Sequence, residues 1–418
     1  MIGGEVMVFS AFNVLRKQPT GEAILYNSKV GSIIVLSQEM VQKYENGFLP
    51  PALAELGFLV EEGTDEVDEL FAIRGRTIAN TDTFRATIAP TLACNARCFY
   101  CFEQGQYHNT MSDDTVAQTI KFLQRESQGK NLGIHWFGGE PLMCPDIIER
   151  ITKGVKSTIG DKHFSALITT NGYLATPDIV EKFADWSIVS VQITIDGTRH
   201  EYEKRKRYLD DADHYNIVLG NIENILSNDI RVVARMNLDR NNYEDIQELI
   251  PELVQRFRKY RKFSYYVYPI LGRKGQANLI DAKEIGEMMS RLYRLLYQDM
   301  DHATYAKLAL NPRPIHCGAR RSNLFTIDPD GNLSKCEHNI GKSEHSVGNV
   351  FDGIIKNDEY RQWVTASVSE NCRDCEIMPV CQGGCPANTD TNIGRCPPTK
   401  ETLPYLLDVA YQLYQERR

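Results

Sequence analysis

Apolar and polar positions follow two periods along this chain. Compact apolar runs at residues 84–89, 132–137, 166–170, 188–195, 230–236 and 263–269 predict strands. Between them, stretches such as 115–125, 147–157, 177–184 and 217–226 place apolar residues at helical spacing. Strand and helix in strict alternation from 84 to about 275 predict an α/β domain with a parallel sheet. Ahead of it, residues 8–15, 23–26 and 30–36 predict strands, with a turn at Pro19-Thr20-Gly21. Ser37 suits the N-cap of a helix from Gln38, Pro50 and Pro51 open a short helix that Gly57 ends, and 58–60 returns as a strand. The acidic stretch 61–69 starts a helix towards the next domain. Past the alternating region, 281–300 predicts a bridging helix and a cysteine-rich segment begins near Pro312.

Composition narrows the class. At 418 residues the chain has room for two or three domains. Its 42% hydrophobic and 24% charged content is that of a globular protein. A net charge of -8 speaks against a nucleic-acid partner, since phosphate binding needs clustered Lys and Arg. No apolar run is long enough to span a bilayer and no signal peptide is evident, so no membrane partner is expected. Eleven cysteines without an export signal are expected to be ligands in a reducing, cytoplasmic setting.

Their spacing carries the chemistry. Cys94, Cys98 and Cys101 stand in a C-x3-C-x2-C loop directly after the strand at 84–89. Three thiolates can hold three irons of a cubic [4Fe–4S] cluster and leave the fourth open to a small molecule. A zinc loop is the alternative, with His108 or another residue as the fourth ligand. After the second strand comes Trp136-Phe137-Gly138-Gly139-Glu140-Pro141, where paired glycines permit close backbone approach and Glu140 can accept from an ammonium.

The cysteine loop, with Tyr100 before its last cysteine, resembles the signature of the radical S-adenosylmethionine (SAM) enzymes. The resemblance implies a partial (β/α)6 barrel in which SAM chelates the open iron and is split to a 5′-deoxyadenosyl radical. Barrels of this kind gather reactive residues at the C-terminal ends of strands. The resemblance places Gly138, Gly139 and Glu140 at the SAM amino group and Thr170 with Asn171 near the adenosine. It sets Gln192 and Asp196 around the ribose and reaction chamber, and Arg235 at the SAM carboxylate; Tyr100 joins them as a cofactor contact. Asp196 has a plainer role open to it, shaping the turn with Gly197, and Arg235 has one as a surface residue. The stretch from His200 to Arg207 departs from the family's His-Asp-x-x-Arg pattern, with Tyr202 and Lys206 at the expected places. The basic run 204–207 has no assigned role, because a charge run is usually a solvated face. No residue is assigned as a catalytic acid or base, and Cys144 is expected to be a buried, unliganded thiol.

The last seven cysteines run Cys317-x13-Gly331-x4-Cys336, then Cys372-x2-Cys375-x5-Cys381-x3-Cys385-x10-Cys396. This pattern resembles the SPASM extension of peptide-modifying radical SAM enzymes; zinc knuckles are the alternative. By that resemblance Cys372, Cys375, Cys381 and Cys396 hold an outer auxiliary [4Fe–4S] cluster, and Cys317, Cys336 and Cys385 an inner one, making three clusters in all. Some relatives take a fourth inner ligand from a cysteine just upstream. Residues 308–316 contain none, which implies an open inner iron or a ligand from His316. The front module resembles the winged-helix-like peptide recognition element, which adds a leader peptide as a strand to a sheet edge; a structural cap that binds nothing is the other reading.

The expected layout is therefore a leader-recognition module at 1–83, a radical SAM barrel at 84–275, a helical bridge at 276–311 and a SPASM domain at 312–418. The expected function, by resemblance to sactipeptide and ranthipeptide maturases, is thioether cross-linking of a ribosomally made precursor peptide, with flavodoxin or ferredoxin as electron donor. Carbon–carbon cross-linking and formylglycine formation on a sulfatase are the alternatives, with a non-catalytic iron–sulfur or zinc scaffold as the reading from another class.

Overall fold

The computed structural model describes residues 6–103, 108–270, 279–298, 302, 310–365, 367–387, 396 and 399–418, with backbone alone for 282 and 283. Residues 276–278, 299–301 and 303–309 of the expected bridge lie outside that set. The chain divides into two compact units. One collects residues 1–78, 271–317 and 366–418, the other 79–270 and 318–365.

The first unit begins with β1 (Met7–Phe9), β2 (Asn13–Lys17), β3 (Ala23–Asn27), β4 (Ile33–Leu36) and β5 (Leu59–Glu61). β2, β3 and β4 form an antiparallel sheet, and β1 pairs antiparallel with β5. The expected strand at 8–15 is thus two strands, broken where Ala11 and Phe12 turn the chain inward. Helix α1 (Gln38–Glu45) starts as expected at Ser37, whose side chain accepts from the Met40 N–H. Helix α2 (Glu66–Ala79) follows the acidic stretch, with Glu66, Asp68 and Glu69 in its first turn, where the helix dipole favours them.

The C-terminal helix Thr399–Gln415 completes this unit. Leu403, Leu406, Leu407 and Ala410 pack with Val14, Ile24 and Tyr26 of β2 and β3, in one apolar cluster with Ile377 and Val380. Arg16 grips Asp408 through two hydrogen bonds at 2.9 and 2.7 Å. A second cluster joins Phe12, Leu70 and Met378, with Cys372 and Cys375 packed against it.

The second unit is built on one eight-stranded, mainly parallel sheet. In chain order its strands are β6 (Thr83–Ile88), β7 (Asn131–Trp136), β8 (Phe164–Thr170), β9 (Ile188–Thr194), β10 (Arg231–Leu238), β11 (Phe263–Pro269), β12 (Leu324–Ile327) and β13 (Leu333–Ser334). β6 to β11 lie side by side in parallel, in the order of the chain. β12 adds in parallel to β6, and β13 pairs antiparallel with β12. Two short strands from residues 318–365 thus extend that sheet.

Between the strands run α3 (Asp113–Glu126), α4 (Pro145–Lys156), α5 (Pro177–Glu181), α6 (Arg199–Lys206), α7 (His214–Ser227) and α8 (Tyr243–Phe257). Ser112 caps α3, and prolines open α4 and α5, where the missing N–H costs nothing. Burial alternates along the strands. Leu132, Ile134 and Trp136 of β7, Val191 and Ile193 of β9, and Val232, Ala234 and Met236 of β10 are buried. Residues His135, Gln192, Thr194, Arg235 and Tyr266 on the opposite face are half-buried. A period of two sends these polar side chains to one face of the sheet, and that face carries the site.

Candidate active site

The cysteine loop leaves β6 and is held from two sides. On one, the N–H groups of Gly139 and Glu140 donate to the carbonyls of Thr91 (3.1 Å) and Ala93 (2.9 Å). A Cβ on Gly139 would lie 2.2 Å from the Ala93 carbonyl oxygen, and one on Gly138 2.5 Å from that of Thr91. The close approach permitted by the glycine pair is therefore to the cysteine loop itself. On the other side, the Arg97 N–H donates to the carbonyls of Lys206 and Arg207, and the Leu209 N–H to that of Asn95, each at 3.0 Å.

Within this clasp Cys94 and Cys98 are half-buried and Cys101 exposed. The Ala96 N–H donates to the Cys94 sulfur at 3.4 Å. Burial, then the nearby Glu140 carboxylate, pushes the Cys94 thiol up to about 12, and Cys98 and Cys101 lie close enough to add to it. Thiols in such surroundings ionise when a metal compensates their charge. Among the described residues, no three Cys, His, Asp or Glu side chains meet at the spacing of a single metal ion.

Glu140 is fully buried, and its carboxylate ties two strand ends together. Oε1 accepts from the Leu142 N–H (3.0 Å) and the Thr170 hydroxyl (2.7 Å), and Oε2 from the Asn171 N–H (2.8 Å). Burial raises its pKa, and those three donors pull the other way. The Asn171 side chain in turn donates to Asn95 Oδ1 at 2.7 Å, inside the cysteine loop.

A second buried network centres on Asp196. Its Oδ2 accepts from the Tyr100 hydroxyl and lies 3.4 Å from Lys206 Nζ, while Oδ1 accepts from the Asn237 N–H at 2.8 Å. Lys206 Nζ also donates to the Tyr100 oxygen at 3.0 Å. Burial and the Asp196 charge hold Tyr100 protonated, well above the ordinary tyrosine range. Asn242 donates to the carbonyls of Asp196 and Asn237, both at 2.8 Å. Asp196 does more than shape a turn: it joins the cysteine loop, β9, β10 and α6.

Lys206 is 2% exposed and Arg205 1%. The expectation of a solvated face at 204–207 therefore fails for these two residues. Arg205 makes a two-pronged contact with Asp239 at 3.3 and 3.1 Å and lies over the Phe99 ring. Helix α6 turns them inward because its C-terminus clasps the cysteine loop.

Further along the polar face, Tyr266 donates to Gln192 Oε1 at 3.0 Å. Arg235 donates to Asn237 Oδ1 at 2.8 Å and lies over the Tyr268 ring at 5.2 Å. Its charge reaches Glu337, whose carboxyl burial pushes up. Glu103 is 7% exposed, and its Oε1 has no hydrogen-bond partner among the described residues; burial first, then the Glu337 charge, raises it to about 7. Phe102 stacks on His338 at 4.4 Å.

The structure places Cys372, Cys375, Cys381, Cys385, Cys396 and Cys317 in the first unit and Cys336 in the second. Cys372, Cys375 and Cys396 all lie within charge reach of Cys381. His316 Nδ1 donates to the Cys381 carbonyl at 3.1 Å, which leaves the ring lone pair on Nε2. Cys144 is buried, as expected.

Residues 88–253 match the family model of the Radical SAM superfamily. The chain contains a radical SAM domain. The radical SAM cyclopropyl synthase TigE of Paramaledivibacter caminithermalis is 23% identical over 370 residues, covering 79% of this chain and 74% of that protein. A cysteine-type anaerobic sulfatase-maturating enzyme of Clostridium novyi is 21% identical over 328 residues, 72% of this chain and 86% of its own. Among solved structures, anSMEcpe with bound AdoMet and Cp18Cys peptide superposes with a TM-score of 0.63 at 16% identity, covering 80% of this chain and 98% of that one. Streptococcus suis SuiB bound to precursor peptide SuiA gives 0.53 at 14%, over 91% and 95%. These structural likenesses show the fold.

A radical SAM domain implies SAM and one [4Fe–4S] cluster, and the donor set fits. Three thiols within reach of one another's charge share one loop, which backbone hydrogen bonds hold from both sides, beside the polar ends of β8, β9 and β10. Of the residues singled out in the sequence, Tyr100, Gly138, Gly139, Glu140, Thr170, Asn171 and Asp196 join the cysteines in one connected network. Gln192 and Arg235 lie further along the same face of the sheet. Lys206, Arg205, Asn242, Glu103 and Glu337 were not singled out for roles. For Lys206 the family spacing after Asp196-Gly197 was a usable signal; for the two glutamates the sequence carries none.

Proposed function

We propose that this radical SAM enzyme acts on a ribosomally made precursor peptide and joins a cysteine sulfur to a carbon of another residue. What supports the bond type is in the sequence: Cys317, Cys336 and Cys385 stand where the SPASM resemblance sets an inner cluster, and residues 308–316 hold no cysteine to complete it. A soft, open iron there suits a substrate thiolate. Relatives named as maturases, and a structural neighbour bound to a precursor peptide, support the peptide substrate. In this proposal Cys372, Cys375, Cys381 and Cys396 hold the outer auxiliary cluster, the front module takes the leader, and a ferredoxin or flavodoxin in the cytoplasm supplies electrons. The partial barrel and the winged-helix likeness belong to the same proposal.

SAM on the cluster, when bound, supplies the agent that removes a hydrogen atom from carbon. The protein's own part is positioning. The Gly138-Gly139 docking seats the cysteine loop, Asn171 ties that loop to β8, and Lys206, buried against Asp196 and Tyr100, holds the end of α6 to the loop. Tyr100, kept protonated, has its hydroxyl committed to Asp196. Each link would remove two hydrogens: one leaves carbon as an atom and the thiol gives up a proton to solvent, and the iron–sulfur centres, when bound, would supply the acceptor for the remaining electron.

A second reading, carbon–carbon bond formation, is favoured by the likeness to a cyclopropyl synthase over 79% of the chain. One experiment separates them. Reconstituted enzyme is incubated anaerobically with SAM, reductant and a cysteine-bearing precursor peptide, and the product is alkylated and analysed by mass spectrometry. A loss of two hydrogens per link with cysteines closed to alkylation is expected. The same loss with every cysteine still alkylated establishes the carbon–carbon reading.

A further inference from the structure

Helix α2 of the front segment brings a guanidinium to the cysteine-rich segment of the same unit. Arg74 is fully buried, and its Nη1 donates both to the Gln382 carbonyl (2.9 Å) and to Gln382 Oε1 (3.1 Å). Gln382 directly follows Cys381 and is itself fully buried. It adopts φ +56°, a left-handed conformation that a residue with a Cβ takes only where its surroundings hold it there. Gly383 and Gly384 continue in the same region at +75° and +69°. This turn directs the Gly383 N–H to the Cys381 sulfur. Arg74 fastens the turn by backbone and side chain at once.

The rest of that helix face also belongs to the cysteine segment. Leu70 packs with Phe12 and Met378 against Cys372 and Cys375, with Phe71 beside them. Asp68 pairs with Arg373 at 2.8 Å. The wall around the cysteines is thus made by residues some 300 positions earlier in the chain (Arg74 and Gln382 are 308 apart).

We infer that Arg74 is a positioning residue for the outer auxiliary cluster, fixing the Cys381 turn that aims the Gly383 N–H at the Cys381 sulfur. The inference rests on the proposal that Cys372, Cys375, Cys381 and Cys396 bind such a cluster. Net charge and hydrogen bonds around the sulfurs set a cluster's reduction potential. An N–H donor held against a cluster sulfur favours the more negative, reduced form and raises that potential.

The test uses the full chain, reconstituted anaerobically, as wild type, Arg74→Gln, Arg74→Lys and a Cys372→Ala/Cys375→Ala double variant. Iron is counted, and the auxiliary signals are followed by EPR during a redox titration. The signal and iron missing from the double variant identify the outer cluster. If the double variant holds as much iron as wild type, the cluster assignment itself fails. Given the cluster, Arg74→Gln is expected to lower its midpoint potential, with Arg74→Lys between the two. Equal potentials in all three chains would overturn the inference. Should Arg74→Gln lose the outer cluster's iron, restoration by Arg74→Lys, which keeps a long donor side chain for Gln382, supports the positioning role, and equal loss in both overturns it.

Discussion

His135 shows how a single residue reports on the polar face of the sheet. It stands on β7 with Nε2 2.8 Å from the Thr169 hydroxyl and its ring against Phe137. Desolvation there lowers its pKa from 6.5 to about 4. Between those values the unfolded chain binds a proton that the folded chain refuses. Stability present above pH 6.5 is therefore lost as pH falls towards 4, by at most about tenfold in the folding equilibrium per unit. Denaturant midpoints of the barrel unit at pH 7.5 and pH 5 should draw together in His135→Gln relative to wild type; unchanged spacing would remove His135 as the cause. Lys206 carries a different lesson at this scale. In the sequence it is one charge among four, and only its place in the family spacing sets it apart from Lys204, which is exposed beside Glu201. Burial against Asp196 and Tyr100 makes it part of the site.

At the scale of elements, the strands were legible. Their apolar runs are short, bounded by turns, and separated by amphipathic helices, so the expected and observed barrel strands agree to within two residues at nearly every end. Helix α6 was not legible, because a segment reading Arg-His-Glu-Tyr-Glu-Lys-Arg-Lys has no apolar face to show. Its inward side is polar and is satisfied by ion pairs. The Gly138-Gly139 turn was legible as a motif, while its partner was not. Since a Cβ at Gly139 would meet the Ala93 carbonyl at 2.2 Å between two pieces of backbone, Gly139→Ala must push the cysteine loop away from β7. Reconstituted Gly139→Ala is expected to lose most of the iron of the radical SAM cluster while its far-UV circular dichroism stays near wild type. Full iron content with normal SAM cleavage would show that the loop tolerates the shift.

Across the whole molecule, each unit is assembled from separated segments. The C-terminal helix supplies Leu403, Leu406, Leu407 and Ala410 to the same apolar cluster as β2 and β3. Leu407 is fully buried there, and Leu407→Ala should cost about 2–5 kcal/mol through lost burial and the cavity it leaves. Because front and end of the chain share that core, limited proteolysis of the variant should open cleavage sites near both termini together. Cleavage confined to the C-terminal helix would mean that the two halves of the cluster fold apart.

The sequence by itself determined the local chemistry and the order of elements: the cysteine spacings, the glycine pair before Glu140, and the strand–helix alternation. Each of these depends on residues close together in the chain, where period, turn chemistry and ligand spacing act directly. Tertiary structure alone decided which distant residues share an environment. It buried Lys206 and Arg205, brought Glu103 and Glu337 within reach of each other's charge, set β12 beside β6, and carried Arg74 to Gln382. Burial and pairing across many residues are cooperative outcomes of packing, and no short stretch of sequence encodes them.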